Sequence, residues 1–142
     1  MSKPFDGQVA IVTGGSDGIG RATSKMLAER GAIVVICARR EEKLAEAKQE
    51  IEAAGGKVET VSLDVTDFDA FRELVADVAK RHRRLDMLVN NAMSTHYAPI
   101  SKLKLEQWRK DFAVNADAVF VGTQAAMEIM GEQGKGSIVN VS

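Results

Sequence analysis

One cysteine, one tryptophan and one tyrosine are found among 142 residues, aromatics make up 5% of the chain, and the formal net charge is −1. Each scarcity excludes something. Cys37 has no second thiol to pair with, and its place in the apolar run Ile33-Val34-Val35-Ile36-Cys37 marks it as a packed strand residue in a reducing compartment. The opening Met1-Ser2-Lys3-Pro4-Phe5-Asp6 has no secretory h-region, and no apolar run approaches bilayer-spanning length, so the expected location is the cytoplasm with no membrane partner. A balanced charge offers no surface for a polyanion. The one basic run, Lys80-Arg81-His82-Arg83-Arg84, has no aromatics interleaved and falls where a helix is expected to end, where cations complement the helix dipole; no nucleic acid is expected to bind. Nor is there a recognisable metal cluster, Ser-His-Asp set or pair of catalytic carboxylates. What is present is 45% hydrophobic, enough for the core of a single globular domain.

The most informative stretch is Val9-Ala10-Ile11-Val12-Thr13-Gly14-Gly15-Ser16-Asp17-Gly18-Ile19-Gly20, an apolar strand running into a glycine-rich turn that opens a helix. Gly14 suits a tight turn, Gly18 lets main-chain N–H groups approach an anion, and Gly20 allows the new helix to lie close to the strand. The helix N-terminus adds unpaired N–H groups and partial positive charge, which together suit a diphosphate. No Lys-Ser/Thr pair follows Gly20, which disfavours a mononucleotide P-loop.

Apolar spacing predicts the remaining elements. A helix over Ile19–Arg30, with Ile19, Ala22, Met26 and Leu27 as its apolar positions, stops at Gly31; a strand over Ala32–Cys37 and a helix over Glu41–Ala54 follow. Lys57–Leu63 reads as a strand, and Thr66 as the cap of a helix whose buried stripe is Phe68, Phe71, Val75 and Val78. Leu85–Val89 is a fourth strand. One long helix is expected from Leu105 through Met130, with Trp108, Phe112, Val119 and Met127 among its apolar positions and Trp108 and Phe112 assigned to the core. Ser137–Val141 is a fifth strand. Strands alternating with helices on short loops predict an α/β fold with a doubly wound parallel sheet, Rossmann-like, in one domain over residues 1–142. Thr13-Gly14, Ala38-Arg39, Asp64-Val65 and Asn90-Asn91 each follow a strand's C-terminal end and are expected to share the crevice where strand order reverses.

Charge bears on the ligand. Twenty residues beyond Gly18, where an NAD-binding fold places a carboxylate for the ribose hydroxyls, stands Ala38, followed by Arg39-Arg40. A guanidinium binds a 2′-phosphate that a carboxylate repels, so NADP is preferred to NAD, although Asp17 near the turn works against that preference. The alternative is that Arg39 and Arg40 are solvated loop residues.

Thr13-Gly14-x-x-x-Gly18-Ile19-Gly20, Asp64-Val65, Asn90-Asn91-Ala92, Asn115 and Gly136-Ser137-Ile138-Val139-Asn140-Val141-Ser142 resemble, in order and spacing, the short-chain dehydrogenase/reductase family. The resemblance covers the whole chain. It implies NAD(P)-dependent hydride transfer between nicotinamide and a small-molecule alcohol or carbonyl. It further implies that Gly14, Ser16, Asp17, Gly18 and Ile19 form the pyrophosphate turn, that Asp64 and Val65 contact adenine, and that Asn91 and Ala92 wall the adenosine ribose. Asn90 would tie its strand to neighbouring ones. Asn115 resembles a helix Asn that helps hold a water in the family's proton relay; from spacing alone it reads equally as a helix kink. Met93 departs from the pattern, which has Gly there, and is expected to reshape the pocket. The long helix Leu105–Met130 resembles one that packs on its copy in a homo-oligomer, though its stripe also suits the sheet.

His96 and Tyr97 follow the fourth strand and border the expected substrate site, but the sequence shows no carboxylate to orient His96, which counts against a general base. The family's catalytic Ser and Tyr-x-x-x-Lys are not found: Tyr97 has Ser101 four residues on, so both are expected beyond Ser142 in a longer parent. The competing reading is a truncated or inactive NADP-binding regulatory module. A methyltransferase-like domain would need an acidic ribose ligand near Ala38. If Ile138, Val139 and Val141 form a sheet edge, it is apolar and unpaired. Residues 1–142 expressed alone are therefore expected to aggregate, and a monodisperse monomer with a cooperative melt in light scattering would contradict this.

Overall fold

The computed structural model describes residues 3–142. Five parallel strands, β1 (Val9–Thr13), β2 (Ile33–Ala38), β3 (Lys57–Ser62), β4 (Met87–Asn90) and β5 (Ser137–Asn140), form one sheet in the order β3-β2-β1-β4-β5. The connecting helices are α1 (Gly18–Glu29), α2 (Glu41–Ala53), α3 (Phe68–His82), α4 (Leu105–Phe112) and α5 (Ala118–Gln133). The chain builds outward from β1 to β3, then crosses back to set β4 against β1, pairing Ala10 with Met87 and Val12 with Val89. This is the expected doubly wound, Rossmann-like layout.

Strand residues alternate between two cores because successive side chains point to opposite faces. Val12, Val34 and Ile36 pack beneath α1 and α2 with Ala28, Leu44, Ala47 and Ile51. Ile11, Val35 and Leu88 pack on the other face with Phe71, Val75 and Val78 of α3 and Val121 of α5. Both faces of the central strands are covered, which explains why their sequences are unbroken apolar runs. Cys37 is buried in β2, as the sequence suggested, and burial pushes its thiol up to about 12. Among the described residues no helix is long and apolar enough to cross a membrane.

Three expectations are corrected. The buried face of α1 is Gly20, Ser24 and Ala28, whereas Ile19 is 65% exposed and Met26 faces water. Small residues win there because the helix lies too close to the sheet for larger ones, and the Ser24 hydroxyl is satisfied by donating to Gly20 O at 2.8 Å. The cap of α3 is Asp67, which accepts from Ala70 N, because Asp64 Oδ1 already engages the Thr66 N–H and hydroxyl at 2.9 and 2.7 Å. The long helix is interrupted by a π-helical segment, Ala113–Asp117, and ends at Gln133. Its core side is Val114, Ala118, Val121, Ala126 and Met130; Trp108 and Phe112 are exposed and stack on each other with ring centroids 4.7 Å apart.

At the opposite end of the sheet from these loops, Asp86 precedes β4 and ties it to β1. Its Oδ2 accepts from Val9 N at 2.8 Å, and Arg84 binds both oxygens at 2.8 Å. Burial by itself would raise the Asp86 carboxyl, but the Arg84 guanidinium and the Val9 N–H outweigh it and hold it below the usual carboxylate range. A carboxyl with a depressed folded-state pKa stabilises fully above its unfolded value, near pH 4, and that contribution is lost as pH falls through the folded value. Asp86→Asn is expected to lower the melting temperature at pH 7 and to flatten its decline below pH 4; a parallel acid limb in both proteins would sink this assignment.

Candidate cofactor cleft

The carboxyl ends of the strands open onto a cleft of about 620 Å³ at the point where strand order reverses between β1 and β4. Its wall brings together Gly14, Ser16, Asp17, Gly18 and Ile19 after β1, Arg39 and Arg40 after β2, Asp64 and Val65 after β3, and Asn91 and Ala92 after β4. All the residues singled out in sequence for the nucleotide thus converge, while Asn115 stands outside the lining.

The turn after β1 is shaped by close approach. A Cβ on Gly20 would lie 2.2 Å from Gly14 O and 2.4 Å from Asn91 Nδ2, so only glycine lets α1 start there. Gly18 has φ +52° with open space where a Cβ would stand. Asp17 caps α1 by accepting from Gly18 N at 2.9 Å, and Arg21 N bonds Asp17 O. The Ile19 and Gly20 N–H groups between them have no acceptor among the described residues, and the helix dipole adds positive potential at that point. This donor set fits an anionic diphosphate.

Across the mouth, Arg40 lies 3.8 Å from Asp17, an exposed pair in which Asp17 offsets Arg40 rather than Arg39. Arg39 has no ion-pair partner among the described residues, and its carbonyl accepts from Ser62 Oγ. Burial would raise the Asp64 carboxyl, yet the Thr66 N–H and hydroxyl, with Arg39 and Lys110 nearby, hold it below its ordinary value. Asp64 therefore faces the cleft as an anion with one oxygen engaged.

Thr13 Oγ1 accepts from Asn91 N at 2.9 Å and Ala92 N at 3.0 Å, and donates to Val89 O at 3.4 Å. Asn91 Nδ2 donates to Gly14 O at 3.1 Å. Asn90 Nδ2 donates to Asn140 Oδ1 and Thr123 Oγ1, joining β4 to β5 and α5 as expected. Met93 and Ser94 extend the lining toward Val114, Val141 and Ser142.

Sequence reasoning missed the carboxylate that serves His96. Asp111 Oδ1 lies 2.8 Å from His96 Nδ1, and Asp111 also accepts from His96 N and Ser94 Oγ. Fifteen residues separate the two side chains, and only the fold of the loop back onto α4 joins them. Asn115 sits in the π segment with its Oδ1 accepting from Ser94 N at 3.0 Å and its Nδ2 donating to Ser94 O at 2.7 Å. Among the described residues no group of His, Cys, Asp and Glu is arranged to hold a metal ion.

A family model described as short chain dehydrogenase matches residues 8–142. A 3-oxoacyl-(acyl-carrier-protein) reductase from Thermotoga maritima is 40% identical over 138 residues, covering 97% of this chain and 56% of that protein. A metagenomic short-chain oxidoreductase solved in complex with NADP superposes with a TM-score of 0.93 at 39% identity, over 97% of this chain and 63% of that one. NAD+-bound xylitol dehydrogenase superposes with a TM-score of 0.91 at 29% identity, over 97% of this chain and 54% of that one. The chain spans about half the length of the curated relatives it matches. A glycine turn with free N–H donors, set at the reversal of a doubly wound sheet and matched in sequence over nearly its whole extent, identifies this chain as a member of the short-chain dehydrogenase/reductase family.

Proposed function

We propose that the intact protein is an oxidoreductase that transfers a hydride between a nicotinamide dinucleotide and the carbon of an alcohol or carbonyl substrate, with NADP preferred to NAD. The observation that carries this reading is the pair of unpartnered N–H groups at Ile19 and Gly20, beside the open space at Gly18. When bound, the dinucleotide supplies or accepts the hydride. The chain's residues hold it: Gly14, Ser16, Gly18 and Ile19 around the diphosphate, Asp64 and Val65 at the adenine, and Asn91 and Ala92 along the ribose. Arg39, in no ion pair among the described residues, takes the 2′-phosphate, while Asp17 lies against Arg40. Asn115 acts at one remove by fixing Ser94, and Met93 narrows the substrate entrance. The Ser and Tyr-x-x-x-Lys of the family are expected in parts of the protein outside these residues.

We further propose that the protein self-associates through the outer side of α4 and α5. Leu105, Trp108, Phe112, Phe120 and Met127 all stand exposed along it, and Phe120 is 63% open to water. Large apolar side chains in such number on one surface call for a cover.

Two measurements test these readings. Titration of the intact protein is expected to show NADPH binding more tightly than NADH, and Arg39→Glu to lower that ratio about 10- to 100-fold, from the ~1.5–3 kcal/mol of a charged hydrogen bond. An unchanged ratio removes Arg39 from the assignment, and failure to bind either nucleotide removes the whole reading. For the surface, Phe120→Glu is expected to shift the intact protein to a smaller species in size-exclusion chromatography with light scattering. Wild-type protein that already runs as a monomer would contradict the interface.

A further inference from the structure

The loop that leaves β4 is fastened to α4 by one carboxylate. Asp111 Oδ1 accepts from Ser94 Oγ at 2.8 Å and meets His96 Nδ1 at 2.8 Å, while Oδ2 accepts from His96 N at 3.0 Å. Burial alone would raise the Asp111 carboxyl, but the Ser94 hydroxyl and the two His96 groups outweigh it and hold it below the usual range. An ionised carboxylate only accepts, so His96 Nδ1 carries the ring proton and the lone pair of the neutral imidazole falls on Nε2. Nε2 has no hydrogen-bond partner among the described residues, and the side chain is 31% exposed. His82, the other histidine, is the contrast: its Nε2 lies 2.8 Å from Glu59 Oε1 and its side chain is 18% exposed.

We propose that His96 is a substrate-contacting site at the rim of the cleft, with Nε2 accepting a hydrogen bond from a hydroxyl of an alcohol substrate and Asp111 as its positioning residue. The proposal rests on the hydride-transfer reading above. Ser94 lines the cleft and shares Asp111 Oδ1 with the imidazole, so a single carboxylate separates the ring from the wall. Asn115, one turn after Asp111, grips the N–H and C=O of Ser94. Two side chains of one helical stretch thus fix the loop at Ser94 and His96, and the imidazole is held in one tautomer before any ligand arrives. Such prior ordering is what a polar anchor needs, because an ordered group loses little freedom on binding. A loop clasp alone would be served by the Ser94 contacts; it has no use for an imidazole whose second nitrogen is left unpartnered among the described residues.

The intact protein offers three readouts. In nitrogen-15 spectra of the rings, His96 is expected in the Nδ1–H form, and Asp111→Asn to convert it to a mixture of tautomers. Diethyl pyrocarbonate is expected to modify His96 at least tenfold faster than His82, read by peptide mass spectrometry. With NADP+ and a panel of two alcohols, xylitol and a 3-hydroxyacyl thioester, His96→Phe is expected to raise KM about tenfold for the one oxidised faster. In the same assay kcat and the NADPH Kd should stay within twofold, and His96→Gln, which keeps an acceptor oxygen, should recover most of the loss. An Nε2–H tautomer, labelling no faster than that of His82, or a KM unmoved by His96→Phe each overturns the proposal. So does a protein that binds the dinucleotide but oxidises neither alcohol. Failure to bind NADPH or NADH at all would overturn instead the reading on which it rests.

Discussion

The cleft opens where the ladder between β1 and β4 ends at Val12 and Val89, and the Thr13 hydroxyl is the group that clamps the two strands beyond it. It accepts two N–H groups from the start of the loop after β4 and donates to the end of β4 itself, so no part of its bonding capacity is left over. The point it clamps is where the sheet reverses its winding, the one place where loops on both sides must diverge and leave a crevice. Directly beside it, the absence of a side chain at Gly20 lets α1 begin within contact of Gly14 and Asn91. A hydroxyl and a missing methyl together bring the helix N-terminus to the mouth of the cleft. The rest of the site follows from that placement.

The order of strands and helices was legible because β-branched runs such as Ile33–Cys37 and helical stripes such as Leu44, Ala47 and Ile51 carry their periods openly. The residues around the cleft were legible for a related reason: each follows a strand's end, so topology gathers them without any knowledge of side-chain geometry. What misled was the assumption that apolar means buried. On α1 the inward face is Gly20, Ser24 and Ala28, since a close-lying helix has no room for Met26 or Ile19. On α4 the same assumption sent Trp108 and Phe112 inward, when the core takes up only the part of the stretch that begins at Val114. The partner of His96 was hidden because the contact depends on how a long loop folds back, and nothing local encodes that.

Charge is arranged with similar economy. Asp17 serves as helix cap and as counter-charge to Arg40, while Arg39 lines the cleft in no ion pair among the described residues, its charge felt by Asp64. Away from the cleft, ion pairs serve the frame. Arg84 with Asp86 ties the amino ends of β4 and β1, and Arg81 with Glu59 and Asp77 joins the end of α3 to the edge strand β3. The first is anchored by a buried carboxylate, whereas the second is open to solvent and contributes little by itself.

The π-helical turn at Ala113–Asp117 holds one residue more than an α-helix of the same rise would need. That surplus lets one continuous helical rod serve two masters. Upstream, Asp111 is aimed at the loop after β4; downstream, Val121 and Met130 are aimed at the core. Removing a single residue there would restore a regular spiral and swing everything beyond it by about 100° around the axis. The rod would then have to surrender either its grip on the loop or its seat against the sheet. The wider coil is thus a phase adjuster, and a one-residue change of length in this stretch costs either the loop or the core.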